Sequence, residues 1–133
     1  MSLADNRSED RHLSDFHIWL WNTKPWMRRL AYHPLNEGGV NPMQNLAKGV
    51  VSGVPDYCID IPSEQYHGLR LEFKLPGKTQ SANQKDCGEK LKRMGYAYPV
   101  VFSEEEARKI TELYLQKSLA AAQLAQEFEP MTL

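Results

Sequence analysis

Between Pro55 and Ser103 the chain changes its side-chain period several times, and that order restricts the fold more than any other feature. Asp56 to Ile61 reads Asp, Tyr, Cys, Ile, Asp, Ile and suits a strand. Pro62-Ser63-Glu64-Gln65 suits a hairpin turn, and Tyr66 to Lys74 a second strand. Pro76-Gly77-Lys78 ends that strand. Ser81, with Gln84 three residues later, is a capping-box start for a helix running to Met94, with Gly95 as its stop. Tyr96 to Phe102 returns to strand. Ser103 then caps a helix whose positively polarised first turn holds Glu104, Glu105 and Glu106. Such an order predicts a mixed α/β domain (α+β) with a central mixed sheet flanked by helices.

The flanking segments fit around that unit. Glu9 to Trp21 reads as a helix with Leu13, Phe16, Ile18 and Leu20 as apolar positions, ended by Asn22-Thr23-Lys24-Pro25. Arg28 to Tyr32 suits a short strand closed by His33-Pro34, and Gly38-Gly39 a turn. Asn41-Pro42 looks like a cap followed by a first-position proline, opening a helix to about Lys48. Beyond Gln116 the Ala- and Gln-rich segment can extend the last helix, pack on a partner subunit, or fray. The 133 residues fit one domain, with a core over about residues 9–115 and residues 116–133 as a C-terminal extension.

Composition excludes several classes. No apolar run approaches the roughly 20 residues of a membrane span, and residues 1–11 lack a secretory h-region. A cytoplasmic protein is the expectation. Cys58 and Cys87 form neither a disulfide framework nor a CxxC zinc site, and read as reduced thiols. The net charge of −1 is unevenly distributed: Leu69 to Gly95 carries seven Lys or Arg against three acids, whereas Asn36 to Gly68 carries one Lys against four. An acidic pocket beside a basic stripe suits phosphates and divalent cations together, although charge alone favours ordinary solvated surface.

The chemistry lies in Pro55-Asp56 and, sixteen residues after Asp56, Glu72-Phe73-Lys74. Alternation along a strand puts Glu72 and Lys74 on one face and Phe73 on the other, while Asp56 starts the preceding strand and can lie beside Glu72. Two carboxylates at one strand edge are hard oxygen ligands for Mg2+ or Mn2+. A lysine one pleat away can hold a water. A bare match of this pattern occurs often by chance on strand surfaces; its context here is a Gly-Val-Pro turn before the first strand and the Ser81 helix after the second.

In that context the resemblance becomes specific. Gly53-Val54-Pro55-Asp56, His67-Gly68-Leu69-Arg70-Leu71-Glu72-Phe73-Lys74, Ser81-Ala82-Asn83-Gln84 and Met94-Gly95-Tyr96 resemble the VRR-NUC family. This is the virus-type replication-repair branch of the PD-(D/E)xK nucleases. His33-Pro34-Leu35-Asn36-Glu37 and Glu106 to Leu115 are similar to further family segments, so the likeness runs from about Glu9 to Leu115. It is closer to the stand-alone phage and bacterial members than to the large Fanconi-associated repair nuclease.

The resemblance implies a restriction-endonuclease-like PD-(D/E)xK core and a metal-dependent DNA nuclease, structure-selective and acting on four-way junctions as a homodimer. It implies Asp56 and Glu72 as ligands of Mg2+ or Mn2+, with the Phe73 backbone carbonyl as a further ligand. Lys74 would position the nucleophilic water, and Gln84 would orient a water or phosphate. The family's first-helix acid matches Glu9 best, with Asp10 as rival, and the Gln expected after it is not clearly present.

Other residues have simpler readings beside functional ones. Gln84 can serve only the capping box, or both roles. Asp60 reads as a solvated strand end, and His33 and His67 as loop residues without zinc spacing. Asn36 and Glu37 can approach the site or serve turn chemistry. Trp19, Trp21 and Trp26 can stack on bases, with core or subunit packing the simpler reading. Lys78, Lys85, Lys90, Lys92 and Arg93 are candidate DNA-backbone contacts as a cluster. Two rivals remain: a type II restriction-like endonuclease, and a non-catalytic DNA-binding protein of the same fold.

Overall fold

A computed structural model of the chain describes residues 4–35 and 42–128. The Gly38-Gly39 turn, the approach of Asn36 and Glu37, and the Asn41 cap lie outside those residues. Helix α1 spans Glu9–Thr23, with the Ser8 hydroxyl accepting from the Arg11 amide and Glu9 and Asp10 in the first turn. Its buried stripe is His12, Phe16 and Leu20, one residue every four, which holds one face against the core. Ile18, read as an apolar position of the same helix, stays exposed, as does Trp21.

After α1 the chain turns through a short 3-10 helix, Pro25–Met27, and Arg29 in the left-handed region at φ 78°. The Leu30 amide still donates to the Met27 carbonyl, so the strand expected from Arg28 begins only at β1, Ala31–Tyr32. Helix α2 spans Pro42–Ala47. Strands β2 (Tyr57–Ile59) and β3 (Leu69–Phe73) form the expected antiparallel pair, with Tyr57 opposite Leu71 and Ile59 opposite Leu69. All three β2 residues are buried, because both sheet faces are covered there.

Helix α3, Ala82–Arg93, carries both halves of the capping box and ends on Gly95 at φ 91°. It crosses over to β4, which pairs parallel with β3, as a helical connection allows. β4 is only Val100–Val101, shorter than the strand read from Tyr96 to Phe102. The chain already lies along β3 from Ala97, whose carbonyl accepts from Arg70. Pro99 accepts from Glu72 but has no N–H to give back, so a regular ladder starts after it.

The four strands are ordered β1-β2-β3-β4 in one mixed sheet. Helix α4, Glu104–Gln116, is capped by Ser103 and packs on α1. The core of Phe16, Leu20, Tyr57, Ile59, Leu71, Phe73, Val101 and Ala107 fills the layer between these two helices and the sheet. On the other face α3 covers Tyr98: a methyl on Gly88 would overlap the Tyr98 ring. Gly88 is therefore a close-approach position in mid-helix, where glycine otherwise costs about 1 kcal/mol.

The C-terminal segment neither continues α4 nor stands apart. Ser118 caps a separate helix α5, Leu119–Glu127, and its hydroxyl donates to the Pro62 carbonyl at 2.6 Å. Leu115 and Ala121 are in the core, and Trp19 and Trp26 pack against it. Much of the apolar surface that the sequence offered for a subunit interface is thus buried within the chain. Among the described residues no helix is long and apolar enough to cross a membrane.

Candidate active site

The C-terminal end of β3 and the start of β2 meet beneath the first turn of α1. There the Asp56 Oδ2 accepts from the Phe73 amide at 2.8 Å, so the side chain of Asp56 continues the β2–β3 pairing beyond the last ladder residue. The Leu75 amide donates to Glu9 Oε2 at 3.2 Å, which ties the first turn of α1 to the same strand end. An open cleft of about 300 Å3 results, bordered by Glu9, Asp10, Leu13, His33, Leu35, Asp56, Phe73, Lys74 and Gln84. Since the Phe73 ring is buried and stacks near Phe16, it is the main chain of Phe73 that faces the cleft.

Glu72 does not border the cleft; it is fully buried behind it. Its Oε1 accepts from the Tyr98 hydroxyl at 3.0 Å, and that hydroxyl accepts from Gln80 Nε2 at 2.9 Å. Glu72 Oε2 is buried with no hydrogen-bond partner among the described residues. Asp56 faces it, but two carboxylates have no hydrogen between them unless one is protonated. Burial first, then the closeness of Asp56, therefore holds the Glu72 carboxyl well above the ordinary carboxylate range, against the opposing pull of Tyr98 and Lys74.

This arrangement fits a divalent cation on its own chemistry. A buried acceptor without a donor requires an explanation, and a hard cation between Asp56 and Glu72 would supply the missing positive charge. The Lys74 amide donates to the Val101 carbonyl at 2.9 Å, but its ammonium has no hydrogen bond or ion pair among the described residues, and Lys74 borders the cleft. The Gln84 carbonyl oxygen accepts from the Ser81 amide at 2.8 Å, which leaves its NH2 group for the cleft. His33 donates through Nδ1 to the Asp56 carbonyl and so braces the strand end.

The sequence-derived cations lie elsewhere. Lys78, Lys85, Lys90, Lys92 and Arg93 are exposed on the loop after β3 and on α3, and none borders the cleft. Lys90 pairs with Asp86 at 2.9 Å and Lys92 with Glu89 at 3.4 Å, partners on their own helix. Asp60 is also engaged, with Arg70 at 2.9 Å and the Tyr32 hydroxyl at 3.0 Å. Both cysteines are free, and burial raises both thiols above the ordinary range.

Sequence reasoning missed Tyr98 and Gln80, and read His33 as a loop residue without its bond to the Asp56 carbonyl. Only Gly88 hinted at Tyr98, because a mid-helix glycine signals a close neighbour without naming it.

A second acidic cluster is the one trio of ligand-type side chains, among the described residues, whose atoms all lie within 4.8 Å: Asp5, His12 and Glu105. It does not suit a metal. Arg7 Nη2 already holds Asp5 at 2.8 Å and Glu105 at 2.7 Å. His12 Nδ1 accepts from the Glu104 amide at 2.9 Å, so in a neutral ring Nε2 bears the hydrogen and has no lone pair to offer.

Comparison with known proteins fixes the architecture. A solved structure described as a VRR_NUC domain protein superposes with a TM-score of 0.72 over 86% of this chain and 93% of its own, at 22% identity. This chain has the VRR-NUC fold. That fold is restriction-endonuclease-like, as the sequence resemblance implied, and its mixed sheet flanked by helices is what the order of strands and helices led us to expect. No family model matches the sequence, and no curated protein matches it.

Proposed function

We propose that this protein is a divalent-metal-dependent DNA nuclease of the VRR-NUC family, hydrolysing phosphodiester bonds in the cleft between α1 and the β2–β3 edge. The observation that carries this reading is the pairing of Asp56 with a buried Glu72 whose Oε2 lacks a donor, beside a Lys74 ammonium without an ion-pair partner, among the described residues. Opposed carboxylates and a free ammonium at one strand end have no evident structural purpose, whereas phosphoryl transfer needs both.

Asp56, Glu72 and the Phe73 carbonyl would hold Mg2+ or Mn2+. Such an ion, when bound, polarises the phosphoryl group and acidifies a water. Lys74 holds the attacking water and offsets charge developing on the phosphate. Gln84 orients that water or a phosphate oxygen through its NH2 group. Glu9 fixes the Leu75 backbone, and with it the direction of Lys74. As water adds to phosphorus, the bridging P–O bond breaks and the leaving oxygen takes up a proton.

The finer reading, a homodimer selecting branched DNA, follows from the sequence resemblance. Its support within the fold is an apolar hollow of about 450 Å3 beside α3, bordered by Val51, Val54, Leu91 and the exposed Met94. A twofold pair would bring the second active site that a symmetric junction cut needs. A single assay tests both levels: labelled duplex, flap and four-way junction DNA, incubated with Mg2+, Mn2+ or chelator. Cleavage with the ions and none with chelator is expected, and junctions should be cut fastest. Absence of ion-dependent cleavage on every substrate would reject the nuclease reading. Equal rates on duplex and junction, from a strict monomer in light scattering, would remove only the finer part.

A further inference from the structure

Residues 16–35 contain three Lys or Arg, two His and three Trp, and not one Asp or Glu. The fold turns this stretch into a surface next to the cleft. Asp10, Leu13, His17 and Trp21 are spaced by three or four residues and so form one stripe along α1. Asp10 and Leu13 border the cleft; His17 and Trp21 border a small hollow with Arg28 at the far end. The stripe is about 16 Å long at 1.5 Å per residue, roughly five nucleotide steps at the 3.4 Å spacing of a duplex strand.

The end of that stripe is built unlike ordinary surface. Trp21 is 43% exposed, whereas Trp19 and Trp26 pack against the core. The Arg28 guanidinium lies 4.3 Å from the centre of the Trp21 ring and donates to the Trp21 carbonyl at 3.0 Å, which holds both planar groups in place. Neither Arg28 nor Arg29 has a carboxylate in ion-pair contact among the described residues; Lys24 does, with Glu112 at 2.7 Å. Arg29 sits in the left-handed region, a strained conformation for a non-glycine residue that tends to persist where the site needs it.

We propose that Trp21, Arg28 and Arg29 form a binding site for an unpaired nucleotide of the nucleic-acid strand that leaves the cleft along α1. A base stacks on the preorganised Trp21–Arg28 pair, and the phosphates on either side meet Arg28 and Arg29. Stacking accepts any base, and the two guanidiniums see only backbone, so the site selects single-strandedness rather than sequence. Its role in positioning a substrate rests on the nuclease reading; the binding itself does not.

The test is fluorescence anisotropy with a labelled single strand of about 15 nucleotides, a length near the upper end of single-strand site sizes, and with a matched duplex. Chelator is present so that nothing is cut. Trp21→Ala should weaken single-strand binding about tenfold or more and duplex binding less, while Trp21→Phe retains most of the affinity. Arg28→Gln with Arg29→Gln should lower the slope of log affinity against log salt by about 1.4, roughly 0.7 for each lost contact on a single strand. Thermal melting verifies that each variant is folded; the exposed arginine pair serves if Trp21→Ala is not.

Unchanged affinity and salt slope in the folded variants would overturn the proposal. So would a dimer that Trp21→Ala dissociates without changing single-strand affinity, since the surface would then be a subunit contact. Wild-type protein that binds in this pattern but cuts nothing with Mg2+ or Mn2+ would sink the nuclease reading and leave this site standing. Ion-dependent cutting with no effect of these substitutions would do the reverse.

Discussion

Two carboxylate clusters meet at the first turn of α1, which supplies Glu9 to one and His12 to the other, and they have opposite electrostatic designs. In the first, Asp56 and Glu72 face each other with Lys74 nearby, and one buried oxygen has no donor among the described residues. In the second, Arg7 reaches Asp5, Asp15, Glu104 and Glu105 at 2.7 to 3.1 Å, and Arg108 adds a further contact to the buried Glu104. The second cluster is complete: its cation is part of the chain, and its work is to join the N-terminal segment to the start of α4. The first has a deficit of positive charge. A cluster that merely stabilises the fold carries its own counter-charge, whereas one that recruits an ion leaves the space open.

The largest separation of the two should appear in catalysis. Lys74→Ala is expected to slow ion-dependent DNA cleavage about a thousandfold, within the range for a positioned group acting on the proton-transfer step, without weakening divalent-ion binding. Arg7→Gln should cut at near the wild-type rate. Cleavage by Lys74→Ala at the wild-type rate would remove the role assigned to Lys74.

Ion affinity is the next difference. Glu72→Gln or Asp56→Asn should weaken Mn2+ binding by calorimetry about a hundredfold, the upper range seen even for groups that only support a ligand. Arg7→Gln should leave it unchanged. If the isotherm follows Arg7 or Glu105 instead, the ion belongs to the other cluster.

Stability should move the other way. Arg7→Gln takes one of two cations from a buried glutamate. Complete loss of a partner costs about 3–5 kcal/mol; with Arg108 still in place and Arg7 partly in solvent, about 1–2 kcal/mol is expected, read from thermal unfolding. Glu72→Gln in chelator should stabilise slightly, because it removes half of an uncompensated pair.

The smallest expected effect is in pH dependence. The native Glu72 carboxyl binds its proton more tightly than the unfolded one. Its contribution to apoprotein stability is thus fully present below the ordinary glutamate range and is lost as pH rises through the raised native value. Melting temperature in chelator should fall with pH across that window, and Glu72→Gln should flatten the fall. An identical slope in both proteins would mean that Glu72 is not the group held protonated.

What the sequence determined by itself is local. A capping box needs only Ser81 and Gln84 three residues apart. The β2–β3 hairpin needs alternation on either side of a turn, and together these place Asp56, Phe73, Lys74 and Gln84 around one strand end. Glu9 joined them on the strength of the family resemblance. The strand after α3 was legible as extended chain, although Pro99 shortened its ladder for a reason equally local.

Tertiary structure decided the electrostatics. Whether a charge is open or satisfied depends on partners distant in sequence, as Arg7 and Glu104 or Tyr98 and Glu72 show, and no periodicity encodes those pairs. The same holds for the three tryptophans. Their order along the chain could not separate Trp19 and Trp26, which pack against the core, from Trp21, which two residues beyond Trp19 lies at the surface under Arg28. Backbone preferences act within a few residues and can be read in line; burial and charge compensation are sums over the whole fold, and only the assembled core sets them.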